Sequence, residues 1–175
     1  AAMFFPRVTR DFAALILPYL DARAEIVHHM DPAAAGHLLG AVAPVDRGNI
    51  IARMRLESLP RVLPEMSPEA LVAALETLSF PERCRVLSAL DPKTVGRCLN
   101  AMNMVLVRSF FDERATEHGL TPGKLADVML EFIPSAAASV LSKIGDPKRA
   151  ALILSKMKET PRSKIIQELV GDARG

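Results

Sequence analysis

The amino-acid sequence predicts an all-α fold of short helices, and three observations predict it. Apolar residues recur with a period of twelve. Prolines that follow capping side chains mark where many of the periods begin. No segment alternates with the period of two that a half-buried strand requires. The repeats start at Leu20, Pro32, Pro44, Leu56, Pro68, Phe80, Pro92 and Met104. Six and seven residues after each start stands a nearly always apolar pair: Ile26-Val27, Leu38-Leu39, Ile50-Ile51, Val62-Leu63, Ala74-Leu75, Val86-Leu87, Cys98-Leu99 and Phe110-Phe111. Ten residues after each start comes Met30, Val42, Met54, Met66, Leu78, Leu90 or Met102, and Arg114 breaks the series in the last repeat.

Places +3, +6, +7 and +10 of a repeat have helical spacing and are expected to form one stripe. Twelve residues of α-helix make about 3.3 turns. On one continuous rod, successive stripes would therefore sit roughly 120° apart and could not share a core. The chain must reverse at each boundary. About nine or ten residues then remain per helix, or roughly 14 Å of rod, too short to be stable without neighbours.

The elements follow in order. Thr9 to Leu17 is expected to form a capping helix closed by Pro18, within an N-terminal segment 1–19. Residues 20–103 form a first arm of short helices. Asp31-Pro32, Ser67-Pro68, Asp91-Pro92 and Thr121-Pro122 each place a capping side chain just before a proline that suits the first helical position. Ala43-Pro44, Phe80-Pro81, Ile133-Pro134, Asp146-Pro147 and Thr160-Pro161 mark further starts. At Met104 the register slips. Residues 104–118 read as one longer helix ended by Gly119, within a segment 104–120 that separates the arms. A second arm, 121–171, carries Val128-Met129, Val140-Leu141, Ile153-Leu154 and Ile165-Ile166, and residues 172–175 are a frayed tail. The total is about 11–13 short helices.

Half of the 175 residues are apolar, aromatics make up 5% and tryptophan is absent, so the core is aliphatic. The net charge of +2 steers no partner, but from Lys143 to Gly175 eight basic residues face four acidic ones, a local net of +4. No apolar run approaches the 18 or so residues of a membrane span, and no signal-peptide layout is present. Two cysteines on predicted buried stripes fit a reducing, cytoplasmic compartment better than a secreted one.

Little in the chain points to chemistry. Cys84 and Cys98 lack a Cys-x-x-Cys pair or histidines at zinc spacing, and read as small buried residues. His28, His29, His37 and His118 share no helical face and read as surface or boundary residues. Asp31, Asp91 and Asp146 recur before prolines as caps, on separate helices. Gly119 to Lys124 departs from the Walker spacing, lacks the following Ser or Thr and follows a helix, so it is a connector. No G-x-S-x-G is present. Catalytic, cofactor and metal residues are therefore expected to be none. Two features stand out as interaction candidates. One is the register break, where Phe110 and Phe111, flanked by Arg108 and Arg114, either fill a core or form a partner-binding ridge. The other is the basic C-terminal arm with Lys148, Arg149, Lys156, Lys158, Arg162 and Lys164, either a solvated face or a surface for an acidic partner or nucleic acid.

The segments HMDPAAAGHLLGAV, EMSPEALVAALETL, ALDPKTVGRCLNAM and IGDPKRAALILSKM resemble the repeats of the cytosolic N-terminal domain of MgtE-type magnesium transporters. That domain is related to parts of the flagellar motor switch protein FliG. The resemblance runs from about Leu20 to near the end of the chain. It implies a right-handed superhelix, an α-solenoid. In the transporters the domain is acidic and has magnesium-responsive carboxylates, whereas this chain is slightly basic and has no acidic cluster to match them. The expectation is a non-enzymatic scaffold that binds another protein, within a flagellar or other cytoskeletal assembly. The alternatives are a magnesium-sensing regulatory domain of such a transporter and a helical-repeat nucleic-acid binder.

Overall fold

The computed structural model describes residues 14–19, 22–112 and 114–172. All regular structure among them is helical, as the twelve-residue pattern predicts. Residues 14–16 are helical and pass into a 3-10 turn at Leu17–Tyr19; the earlier part of the expected Thr9–Leu17 helix lies outside the described residues. There follow α1 (Arg23–His29), α2 (Pro32–Ala41), α3 (Pro44–Arg53), α4 (Leu59–Val62, continued by a 3-10 turn Leu63–Glu65), α5 (Pro68–Thr77), α6 (Phe80–Ala89) and α7 (Pro92–Ala101). Then come α8 (Met104–Phe110), α9 (Arg114–Glu117), α10 (Pro122–Met129), α11 (Pro134–Ser142), α12 (Pro147–Ser155) and α13 (Glu159–Asp172). The chain divides into two compact units at Leu90–Asp91, ahead of the 104–120 segment expected to part the arms.

Within the first unit each helix packs on the one two places along: α1 on α3, α2 on α4 and its 3-10 extension, α3 on α5, α4 on α6. The +3, +6 and +7 residues fill the space between, with Leu39, Ile50, Ile51, Leu59, Leu75 and Leu87 fully buried. In the second unit α10 packs on α12 and α11 on α13, but α7 reaches α10 and α8 reaches α11, three places along. The short α9 is the inserted piece. Such n-to-n+2 stacking is the α-solenoid arrangement.

The turn explains the period. Met30, Val42, Met54, Met66, Leu78, Leu90 and Met102, the +10 residues, are not the last residues of a helical stripe as the pattern suggested. Each is an extended C-cap with ψ between 146° and 160° that donates its N–H back to a carbonyl three or four residues earlier. Six of the seven are buried, so each turn is anchored by an apolar side chain. The next residue is commonly the N-cap of the following helix. Asp31, Ser67, Asp91 and Asn103 accept from the N–H of Ala34, Ala70, Thr94 and Leu106 at 2.9–3.1 Å. Ser79 donates its N–H and O–H to the Glu82 carboxylate, which closes a capping box. Ten helical residues and a two-residue turn make twelve.

Residues 104–118 are not one helix. The rod ends at Phe110, Phe111 is a helical-region C-cap, and Asp112 Oδ1 accepts the N–H of Arg114 to start α9. Phe110 and Phe111 are both fully buried, and the helix ends at them. Gly119 has φ 94°, as the expected left-handed cap requires. The last helix begins at Glu159, two residues before Pro161.

Glycine at place +4 carries information that the apolar pattern omits. A Cβ on Gly36 would lie 2.6 Å from Glu65 Cβ and 2.9 Å from the Val62 carbonyl oxygen. At Gly48 it would strike Thr77 Oγ1 and lie 3.1 Å from the Ala74 oxygen, and at Gly96 it would lie 2.6 Å from Glu131 Cβ. These are the sites where a helix meets the C-terminal end of its stacking neighbour.

Arginines, Arg47 buried and Arg85 half-buried, finish other helix ends. Arg47, 5% exposed, donates to the carbonyls of Leu39 (2.7 Å), Gly40 (2.9 Å) and Val42 (2.6 Å) at the end of α2, and to Ala70. Burial pulls its pKa down, and the four carbonyl oxygens supply the acceptors that water would have given. Arg85 donates to Ala52 (2.7 Å) and Met54 (3.4 Å) at the end of α3.

Two outcomes test this reading. Gly36→Ala is expected to destabilise the chain by about 1–3 kcal/mol through overpacking. Gly40→Ala, on the same helix with nothing within 4 Å of its Cβ site, is expected to stabilise it by about 0.5–1 kcal/mol. Urea unfolding of both variants checks the pair. Asp91→Ala is expected to cost about 1 kcal/mol near pH 7. Burial alone would raise the Asp91 pKa, but hydrogen bonds from Thr94 and its neighbours bring it below the usual carboxylate value. The ionised form therefore stabilises the fold above the ordinary carboxylate pKa, and the contribution fades as pH falls through the lower folded value. Unfolding curves at pH 7 and about pH 2 should show the difference between wild type and Asp91→Ala vanish in acid.

Candidate functional site

The residues that suggested chemistry have structural partners. The Asp31, Asp91 and Asp146 carboxylates accept backbone N–H groups of Ala34, Thr94 and Lys148. Thr121 Oγ1 accepts the Lys124 N–H at 3.3 Å, so the Gly119–Lys124 stretch starts α10. Cys84 and Cys98 are buried free thiols, and burial pushes them up to about 11 and about 12, away from the thiolate a nucleophile needs. His28 Nδ1 lies 2.6 Å from the Oγ of buried Ser58, and His29 Nε2 lies 3.0 Å from Glu25 Oε1, which also meets Arg55 at 2.9 Å. These contacts tie α1 to the turn before α4. Among the described residues no three His, Cys, Asp or Glu side chains converge as metal ligands.

The interaction candidates separate into buried and exposed sets. Phe110 and Phe111 are fully buried and fill the core of the second unit, which removes them from any partner-binding ridge. Arg149 is also withdrawn from the surface: 6% exposed, it donates to Phe111 O (3.3 Å) and Thr116 Oγ1 (2.7 Å) and fastens the end of α8 to α12. Its low exposure follows from the same end-capping use as Arg47. Arg108 is exposed, and Arg114 is exposed beside Asp112, with Nε 3.2 Å from Oδ1. Lys148, Lys156, Lys158 and Lys164 are exposed and Arg162 partly so. The last four fall together at the end of α12 and the first turns of α13.

Beside them is a feature the repeat pattern did not indicate. An open groove of about 290 Å³ lies between the α10–α11 turn, with Met129, Leu130 and Phe132, and the start of α13, with Pro161, Lys164 and Ile165. The α10–α11 turn has four residues where the first unit commonly uses two, and its C-cap, Leu130, is helical (ψ −19°) where the regular C-caps are extended. Leu130 is consequently 46% exposed and Ile133 69%, whereas Val42, Met54 and Leu90 are buried. The sequence signal was available: Leu130-Glu131-Phe132-Ile133 sets three large apolar residues between one apolar pair and the next proline.

The comparisons agree with the repeat. A family model described as the MgtE intracellular N domain matches residues 10–104, which span α1 to α7 and more than half of the chain. No curated protein gives a significant match, and no solved structure does. Proline-started helices of ten residues (α2, α3, α5 and α7) recur through that stretch, and by this match the chain belongs to the MgtE intracellular N-domain family.

Proposed function

We propose that the chain is a non-enzymatic regulatory module that acts on another protein through the surfaces of its stacked helices, as an input domain of the MgtE type. The observation that carries this reading is the family match to residues 10–104. The engagement of the cap aspartates with backbone N–H groups and the raised thiols of Cys84 and Cys98 support the non-enzymatic part. The family description places its members' domain inside the cell, and no helix among the described residues is long and apolar enough to cross a membrane.

Magnesium sensing is the finer form of this reading. With no three ligating side chains converging among the described residues, a response to the ion needs further carboxylates from the protein regulated. The chain is then the mechanical and docking part of the device. The scaffold reading within a flagellar or cytoskeletal assembly remains second, favoured by the exposed lysines of α12 and α13 beyond the matched residues.

Added to a magnesium transporter of this family whose N domain has been deleted, the chain is expected to change Mg²⁺ uptake into proteoliposomes about five-fold or more. An unchanged rate overturns the regulatory reading. For the isolated chain, a magnesium site of about 1 mM Kd would add about 1.4 kcal/mol at about 10 mM MgCl₂, raising Tm by about 3–6 °C. The expected Tm shift is below about 1 °C, read by calorimetry against equal ionic strength of NaCl.

A further inference from the structure

We propose that the groove between the α10–α11 turn and the start of α13 is a docking site for an acidic amphipathic helix of another protein. The proposal names the partner class for the protein-binding part of the reading above, and it places the contact outside the family-matched residues. Three observations carry it.

The first is apolar surface with no cover. Leu130 (46% exposed) lines the groove, and Ile133 (69%) and Ile166 (42%) are the chain neighbours of its lining residues Phe132, Pro134 and Ile165. The second is size. About 290 Å³ is room for a few apolar side chains. That suits two anchors from adjacent turns of a helix. The third is charge. Lys164 lines the groove, and Lys158 and Arg162 flank the lining residues Thr160 and Pro161 in the chain, with Glu159 the one carboxylate among them. On the opposite wall Glu131 is exposed, with its stem packed toward Gly96 of α7. An apolar slot beside a net positive wall selects apolar anchors flanked by carboxylates and rejects a basic helix of the same hydrophobic pattern.

The test titrates the full chain into two fluorescein-labelled peptides and reads anisotropy. Both carry leucines at i, i+3, i+4 and i+7; one has glutamates and the other lysines on the remaining face. Saturable binding of the acidic peptide is expected, weakening as salt rises from about 0.05 to about 0.5 M, with the basic peptide about ten-fold weaker or worse. Lys164→Glu and Leu130→Ser are expected each to weaken the acidic peptide about ten-fold, while Lys148→Glu, outside the groove lining, leaves it unchanged. Both groove changes replace side chains that line the groove and are exposed, and a retained cooperative thermal transition verifies the fold of each variant. No saturation, equal binding of both peptides, insensitivity to Lys164→Glu and Leu130→Ser, or binding by phosphatidylserine vesicles in place of the peptide overturns the proposal. This titration is independent of transporter uptake, so either reading can fail without the other.

Discussion

The structure depends on how closely α2, α3 and α7 lie against the far ends of the helices they stack on. Gly36 meets Val62 and Glu65, 26 and 29 residues later; Gly48 meets Ala74 and Thr77 at the same separations. Gly96 meets Val128 and Glu131, 32 and 35 residues on. The common difference of six residues is the length added to the chain between Met104 and Pro122 over a regular twelve. One contact therefore recurs in both units, and the chain absorbs the insertion by looping out α9 and keeping the contact. Backbone approach of this kind excludes a side chain at Gly36, Gly48 and Gly96, a stronger demand than the apolar stripe makes, whereas place +4 of α5 and α6 carries Val72 and Cys84. Stripe residues can exchange among Leu, Ile, Val and Met at modest cost.

Close stacking of short rods leaves many helix ends near the core, and each end has backbone groups without helical partners. The first unit resolves this in two ways. N-termini receive side-chain oxygens from Asp31, Ser67 and the Ser79–Glu82 box. C-termini receive the backward N–H of an extended apolar residue and, at α2 and α3, the guanidinium groups of Arg47 and Arg85. Arginine suits the task because its five donors fan out in a plane and can serve several carbonyls at once. Arg149 does the same for α8 in the second unit, which is why a residue that reads as part of a basic surface is found inside.

What was legible in the sequence was what is local. Asp31, Ser67, Asp91, Thr121 and Asp146 announce their helices because a cap acts within three residues, and the apolar pairs announce their stripes because helical period is a near-neighbour property. The inward Phe110 and Phe111 were partly legible: core filling was one of two open uses. Their helix break was not, since Met104 to His118 has no proline or glycine to mark it. The buried arginines were hidden for a similar reason: charge reads as surface until a set of carbonyls is found to receive it. The groove was legible only as an oddity, three large apolar residues in a turn at Leu130, Phe132 and Ile133.

The two turn types also divide the labour along the chain. Through Met102 most turns are short, with an extended and mostly buried C-cap. From Phe111 onward the C-caps at Phe111, Leu130, Lys143 and Lys156 are helical, the turns lengthen, and polar or apolar residues are carried outward. Departures from a local rule are where a fold has surface to spare for function. In this chain those departures coincide, at Leu130, Ile133 and Lys164, with exposed apolar and basic side chains around one groove, so the irregular helices are the place where partner choice would be decided.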